Sequence, residues 1–391
     1  MKIESLEIKN FKVLKDVYIC QIPNMAVFLG KNGVGKTTFF DVFGFLHDCL
    51  VSNVKAAIIK RGGFNEVRSR EGEGDISFKI QFRPNDDEPL ITYELAIGQD
   101  RKSKIIVRNE ILRMRRGQHG APWKILDFKE GVGVAADGEL KTYEDVQLAT
   151  RKPQSLESPD ILAIKGLGQF KNFVAVNQFR QLIEDWYVAD FRIDLARERQ
   201  EATYSERLSS TGDNIAVVTK MLFDNYPDIF NTVIQKIKER VPGVQNVEAK
   251  STEDGYILLR FQDGQFKNPF SAKFVSDGTI KMFTYLMLLN DPEKHALLCI
   301  EEPENQLYPE LLAELAEEFR QYARKGQVFV STHSPDFLNA VELEEIFILS
   351  KENGYTNIMR ASDNELVSNL YWAGDKPGEL WKQGLLEGEN G

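Results

Sequence analysis

Cysteine is scarce in this chain, with three in 391 residues. Cys20, Cys49 and Cys299 are widely separated, odd in number and without a CxxC pair. Neither a disulfide framework nor a cysteine-held zinc follows, and a reducing compartment fits best. Positive charge is also short, since 49 Lys and Arg face 59 Asp and Glu, a formal net charge of −10. That balance excludes a constitutive, whole-surface nucleic-acid binder and leaves room only for a local basic patch. No stretch approaches the ~18 apolar residues that span a bilayer. The opening MKIESLEIKNFKVLKD carries charges where a signal peptide needs a continuous apolar run. We therefore expect a soluble, cytoplasmic protein without a membrane partner. Internal repeats, low-complexity tracts and long heptad arrays are absent from the pattern. The 42% of hydrophobic residues still suffices for a packed core and rules out wholesale disorder. The length corresponds to roughly two to three domain-sized units, or one composite domain.

Residues 1–30 alternate in short apolar runs and end in the strand-like Met25-Ala26-Val27-Phe28-Leu29. A glycine-rich turn follows, then Thr37 to Leu50, where Phe39, Phe40, Phe43 and Leu46 recur at helical spacing. DISFKIQF, LITYELAIG and KIIVRNEILRM switch to period two and predict antiparallel strands, separated by the turn-rich RPNDDEP and GQDRKSK. Residues 117–160 are polar, with scattered Gly and Pro, and carry little pattern. Between 168 and 240 the amphipathic stretches FKNFVAVNQFRQLIEDWYV and NIAVVTKMLFDNYPDIFNTVIQKIKERV predict helices. QNVEAKS and GYILLRFQD predict a hairpin. The C-terminal third alternates helix (278–290), strand (296–301), helix (309–324), strand (327–331), helix (335–340) and strand (345–350). Such alternation implies a parallel sheet with helices on its faces.

Four motifs carry chemistry. Gly30-Lys31-Asn32-Gly33-Val34-Gly35-Lys36-Thr37 is a full G-x-x-x-x-G-K-[ST] phosphate loop. Small residues let backbone N–H groups wrap β- and γ-phosphates, Lys36 adds a point charge, and the Thr37 hydroxyl can ligate Mg²⁺. The pattern arises by chance in roughly one or two of every hundred chains this long, and here it lies between a predicted strand and a predicted helix. The second motif is Ala296-Leu297-Leu298-Cys299-Ile300-Glu301-Glu302, an apolar strand ending in two acids. Alone it reads as a solvated strand end. Beside a phosphate loop, one carboxylate can hold the Mg²⁺ shell and its neighbour can orient water toward the γ-phosphate. In Phe329-Val330-Ser331-Thr332-His333-Ser334-Pro335 a β-run stops at one of only four histidines, at the strand end where ligands of open α/β sheets collect. His333 is thus a candidate γ-phosphate sensor rather than a structural histidine. The last, Phe274-Val275-Ser276-Asp277-Gly278-Thr279-Ile280-Lys281, is by itself only a helix N-cap with a glycine.

The order phosphate loop, Ser-Asp-Gly helix, strand-Glu-Glu-Pro-Glu-Asn, strand-Ser-Thr-His-Ser-Pro resembles the ABC-type ATPase heads of the SMC/RecF/OLD group. More narrowly it resembles compact bacterial predicted ATPases that often accompany defence genes. The likeness covers nearly the whole chain and is weakest in the middle. It implies an α/β P-loop NTPase of ABC-ATPase type, with a mixed sheet, an antiparallel β lobe and an inserted helical subdomain. Residues 1–60 and 270–391 would form the ATPase core, 61–160 the β lobe, and 161–269 a mainly helical insertion with a hairpin. The cofactors implied are ATP and Mg²⁺. Gly30 to Thr38, including Asn32, Gly33, Gly35, Lys36 and Thr37, would be Walker A. Glu301 would be the Walker B acid and Glu302 the catalytic glutamate. Pro303 to Pro309 would be the D-loop and His333 the switch histidine. Ser276 and Gly278 would be the signature, which in this group contacts the γ-phosphate bound to a second protomer. Asn10-Phe11-Lys12 matches a turn near the start of such heads. The group usually has Asp where Glu301 stands; Glu is one methylene longer, which leaves direct and water-mediated Mg²⁺ contact both open. Gln178, in VNQFRQL, is a candidate for the Q-loop glutamine.

Structural-maintenance and break-repair relatives insert long coiled coils between Walker A and the signature. Residues 38 to 275 lack sustained heptads, so a tethering role is not expected. OLD-type nucleases carry a C-terminal TOPRIM domain, and the 58 residues after His333 are too few to lead us to expect one. Two readings follow from the resemblance. One is an ATPase that dimerises around ATP, in a pair or higher oligomer, and switches a separately encoded effector such as a toxin or nuclease. The other is a RecF-like clamp on double-stranded DNA. The basic stretch Arg101 to Arg116 sets seven basic residues against Glu110 and is the candidate DNA contact, although a solvated hairpin face is its ordinary role.

Overall fold

Five consecutive apolar residues, Met25–Leu29, form β3, and every one of them is buried. The helix after it, Lys36–Val51, turns Phe39, Phe40 and Phe43 onto that strand. Phe28 packs at 4.4 Å from Phe39, edge-on to Phe40 at 5.8 Å, and stacks on Phe347 at 5.4 Å. Burial of this aromatic cluster anchors the phosphate loop at both ends. The computed structural model describes residues 2–85, 88–115, 122–138 and 151–387. The described chain divides into two compact units. The first runs over Met1–Trp186, Glu342–Asp375 and Leu380–Gly391, the second over Tyr187–Val341 and Lys376–Glu379.

In the first unit, β1 (Lys2–Phe11) and β2 (Leu14–Cys20) form a hairpin and lead an antiparallel sheet. Its further strands are β4 (Ile76–Arg83), β5 (Ile91–Gln99), β6 (Ile105–Met114), β7 (Trp123–Lys129), β8 (Val132–Ala135) and β9 (Pro153–Ser155). The order is β2-β1-β4-β5-β6-β7-β8-β9. The predicted strands at 75–116 are present within a residue or so, and β4 alternates buried and half-buried positions throughout, as period two requires. β7 to β9 lie in the region without pattern, because they are short and their exposed residues break the alternation. The helix Val174–Glu184 covers this sheet, with Phe179 stacked on Phe82 and packed 4.4 Å from Tyr93. It stops at Asp185, so the predicted continuation through Asp-Trp-Tyr-Val is instead strand β10 (Trp186–Ala189). β3 also pairs in parallel with β17 (Ile346–Glu352), which pairs antiparallel with β18 (Tyr355–Arg360).

The second unit holds β11 (Gln200–Glu201), the hairpin β12 (Val244–Ser251) and β13 (Tyr256–Asp263), and β14 (Phe270–Ser271) in one small sheet. β15 (Leu297–Glu301) and β16 (Gln327–Thr332) run parallel, as the alternation implied, with Glu301 opposite Ser331. The long amphipathic stretch at 214–241 is two helices, Ile215–Asn225 and Pro227–Arg240. Pro227 cannot donate to the preceding turn, so it ends one helix and starts the next at N1. Asp277–Leu289 is buried on all sides from Gly278 onward, as a core helix is. Among the described residues no helix is long and apolar enough to cross a membrane.

Candidate functional site

The phosphate loop belongs to the first unit. Gly33 and Gly35 take φ of +83° and +108°, a region where a side chain is strained. A Cβ on Gly30 would lie 2.7 Å from the carbonyl oxygen of Leu349, and one on Gly35 would collide with the Thr356 hydroxyl. That hydroxyl donates to the carbonyl of Val34 at 2.7 Å, so β18 clasps the loop. Lys36 is buried beneath it, and its Nζ donates to the carbonyls of Gly30 at 2.7 Å and Lys31 at 3.3 Å. Asn32, Gly33 and Thr37 are exposed and Thr38 is half-buried. An ammonium tucked under a loop that closes only over glycine is a cradle for phosphate, with the N-terminus of Lys36–Val51 adding the N–H groups of its first turn. These residues fit ATP. Beside the loop, a cavity of about 370 Å³ is lined by Lys31, Asn32, Lys351, Trp381, Leu386 and Glu387, and Lys31 pairs with Glu387 at 2.6 Å.

Ser276, Gly278, Glu301, Glu302 and His333 belong to the second unit. Ser276 caps Asp277–Leu289, its Oγ accepting from the N–H of Thr279 at 3.2 Å. Gly278 is buried, and a Cβ there would come within 2.9 Å of the Gln306 carbonyl. Glycine at 278 is therefore demanded by the backbone of Gln306 crossing it. Lys281, one turn further, donates to Asn305 O at 2.6 Å. Burial lowers its pKa to about 8, against the opposing pull of Glu304 and Glu302.

Glu301 ends β15 half-buried. Glu302 follows with φ +42°, a left-handed conformation uncommon for glutamate, and its N–H donates to Ser331 O at 2.9 Å. Asn305 Nδ2 donates to Glu302 Oε2 at 3.1 Å. His333 follows β16 with its side chain 44% exposed, its Nδ1 3.4 Å from Glu302 Oε1 and 3.4 Å from Glu304 Oε1. The structure thus places Ser276, Gly278, residues 303–309, Glu302 and His333 within one unit. Gln178 lies mid-helix in Val174–Glu184, half-buried, in the other. Among the described residues no three His, Cys, Asp or Glu side chains converge as a metal cage.

Sequence reasoning missed three supporting residues. Glu304 was visible in the Glu-Glu-Pro-Glu run, and Lys281 shares a helix face with Asp277. Thr356 had no local signal, because it meets the loop across 322 positions.

A family model described as "AAA domain, putative AbiEii toxin, Type IV TA system" matches residues 25–339. The chain belongs to that family. The predicted α/β fold is present, and it is shared with solved SMC head domains. One similar structure is an SmcHead bound to the C-winged helix domain of ScpA, at 13% identity and TM-score 0.57, covering 92% of this chain and 98% of that one. Another is an Smc head domain with an extended coiled coil, bound to the C-terminal domain of ScpA derived from Pyrococcus furiosus. It has 12% identity and TM-score 0.53, covering 95% of this chain and 99% of the other. At such identities the likeness concerns the fold alone. No curated protein matches the sequence. In this chain the basic stretch is spread along β6 and the turn before it. Arg108 is paired with Glu130 at 2.8 Å and Arg113 with Glu94. Arg101, Lys102, Lys104 and Arg115 are exposed, and Arg116 lies outside the described residues.

Proposed function

We propose that this head binds ATP with Mg²⁺, hydrolyses the γ-phosphate, and pairs with a second copy around the nucleotide to switch a separately encoded effector in a bacterial defence system. The observation that carries the reading is the buried Lys36 under a loop that closes only over glycine. Lys36 and the loop N–H groups would hold the β- and γ-phosphates, and Thr37 and Glu301 would hold Mg²⁺. The metal, when bound, supplies positive charge to the phosphate oxygens. Glu302 would accept a proton from the attacking water, and its Asn305 hydrogen bond keeps that carboxylate oriented. His333 would sense the γ-phosphate, and Ser276 with Gly278 would reach the nucleotide of the partner copy.

The family's description reads "putative AbiEii toxin, Type IV TA system", which supports an effector or antitoxin encoded nearby over a repair clamp. The pairing of Arg108 and Arg113 with acids weighs against double-stranded DNA as the partner, because two of the basic residues are already neutralised. The test is calorimetric titration with Mg·ATP. Lys36→Ala should abolish binding, since the phosphates lose their protein cation; unchanged affinity defeats the assignment. Capture of the adjacent gene's product by wild type with ATP, and not by Lys36→Ala, supports the switch. ATP-dependent DNA binding that is lost when Arg113 and Arg115 become Glu supports the clamp instead.

A further inference from the structure

Glu304 is the one acid of the Glu-Glu-Pro-Glu run without a role in the reading above. Its side chain is only 9% exposed. Oε1 accepts the Thr332 hydroxyl at 2.8 Å and the backbone N–H of His333 at 2.9 Å, and it stands 3.4 Å from His333 Nδ1. Thr332 Oγ1 in turn accepts from Ser334 N at 3.0 Å, so the carboxylate sits at the root of the whole Thr-His-Ser turn. Oε2 is buried and receives no hydrogen bond in the structure. A buried carboxylate with one oxygen unpaired is an expensive way to tie a turn, and an amide or a hydroxyl would hold the same two donors more cheaply. The negative charge therefore has another use, and the group it faces is the ring edge of His333. Glu302 Oε1 lies 3.4 Å from the same nitrogen, and Lys281 and Tyr285 on the helix Asp277–Leu289 lie within electrostatic reach of Glu304.

We infer that Glu304 is a positioning residue: it anchors the backbone of the switch turn and presents a carboxylate to His333, so that Nδ1 carries a proton and the histidine acts through Nε2. A ring nitrogen beside a carboxylate is held in one tautomer, and the other nitrogen is left for chemistry. The functional consequence rests on the hydrolysis reading; the tautomer does not.

The test uses the full chain carrying ¹⁵N-labelled histidine, with His333→Ala assigning the resonance among the four histidines. Glu304→Gln keeps one oxygen for Thr332 and the His333 N–H but removes the charge. In wild type the His333 ring should show the Nδ1-protonated pattern, and in Glu304→Gln it should shift toward a tautomer mixture. An unchanged His333 spectrum overturns the inference whether or not the protein hydrolyses ATP. In turnover assays Glu304→Gln should lower kcat roughly tenfold or more with KM for ATP within about twofold. Added to His333→Ala it should cause no further loss, because the two act as one unit. Losses that multiply, or a lowered melting temperature with kcat unchanged, overturn it. Absence of any hydrolysis by wild type refutes the hydrolysis reading, while the tautomer measurement still decides the role of Glu304.

Discussion

The hydroxyl of Thr356 on β18 donates to the carbonyl of Val34 at 2.7 Å, which ties the phosphate loop to a strand 322 residues away. Thr356 is 4% exposed, so water cannot replace the bond. Thr356→Val keeps the shape and leaves Val34 O with an apolar neighbour, at about 1–3 kcal/mol. We expect Mg·ATP affinity to fall by roughly tenfold in calorimetry, with the loop loosened and the fold retained. Equal affinity would show that the clasp serves stability alone.

Glu302→Gln should bind ATP as wild type does and hydrolyse it slower by orders of magnitude, because an amide does not take the proton a carboxylate takes. The Asn305 hydrogen bond survives through the remaining oxygen, so the local structure should persist. ATP should then accumulate a stable pair, seen by light scattering. Hydrolysis at the normal rate would move the role to His333.

Ser276→Arg should block hydrolysis without weakening nucleotide binding to the single chain, since the signature is expected to serve the partner's nucleotide. Loss of the Ser276 cap costs the helix about 1 kcal/mol, which circular dichroism will register as a small shift in melting. Mixing this variant with Lys36→Ala should restore partial activity, as one composite site then has both halves intact. Mixed pairs that stay inactive would argue against shared sites.

Glu110 gives stability a pH dependence of known sign. It is fully buried between Tyr93, which donates to it at 3.1 Å, and the N–H groups of Ala163 and Ile164. Burial raises its pKa from 4.5 to about 7, against the pull of those hydrogen bonds. A raised folded-state pKa means the native protein binds the extra proton between pH 4.5 and about 7. The contribution is full below pH 4.5 and is lost as pH rises through about 7, up to about 3 kcal/mol. Chemical denaturation from pH 5 to 7.5 should show that decline, and Glu110→Gln should flatten it. A slope unchanged in the variant would assign it to other groups.

Much of this protein was determined by the sequence alone, wherever the chemistry is local. The glycines of the loop, Lys36 and Thr37 sit at covalent spacing, and the strand before and helix after them follow from Met25–Leu29 and the phenylalanine period. The strand-Glu-Glu and strand-Ser-Thr-His runs were legible for the same reason: a buried strand is a short apolar block, and what ends it is read directly. Tertiary structure decided what depends on distant partners. Gly278 is required by the Gln306 carbonyl, and Glu304 meets Thr332 and His333 across 28 and 29 positions. The charges of Arg108 and Arg113 are answered by Glu130, in the turn after β7, and Glu94, on β5, which composition counts but cannot place. Side chains that meet only after the sheets have formed leave no period in the sequence, since their pairing is set by register and packing rather than by spacing.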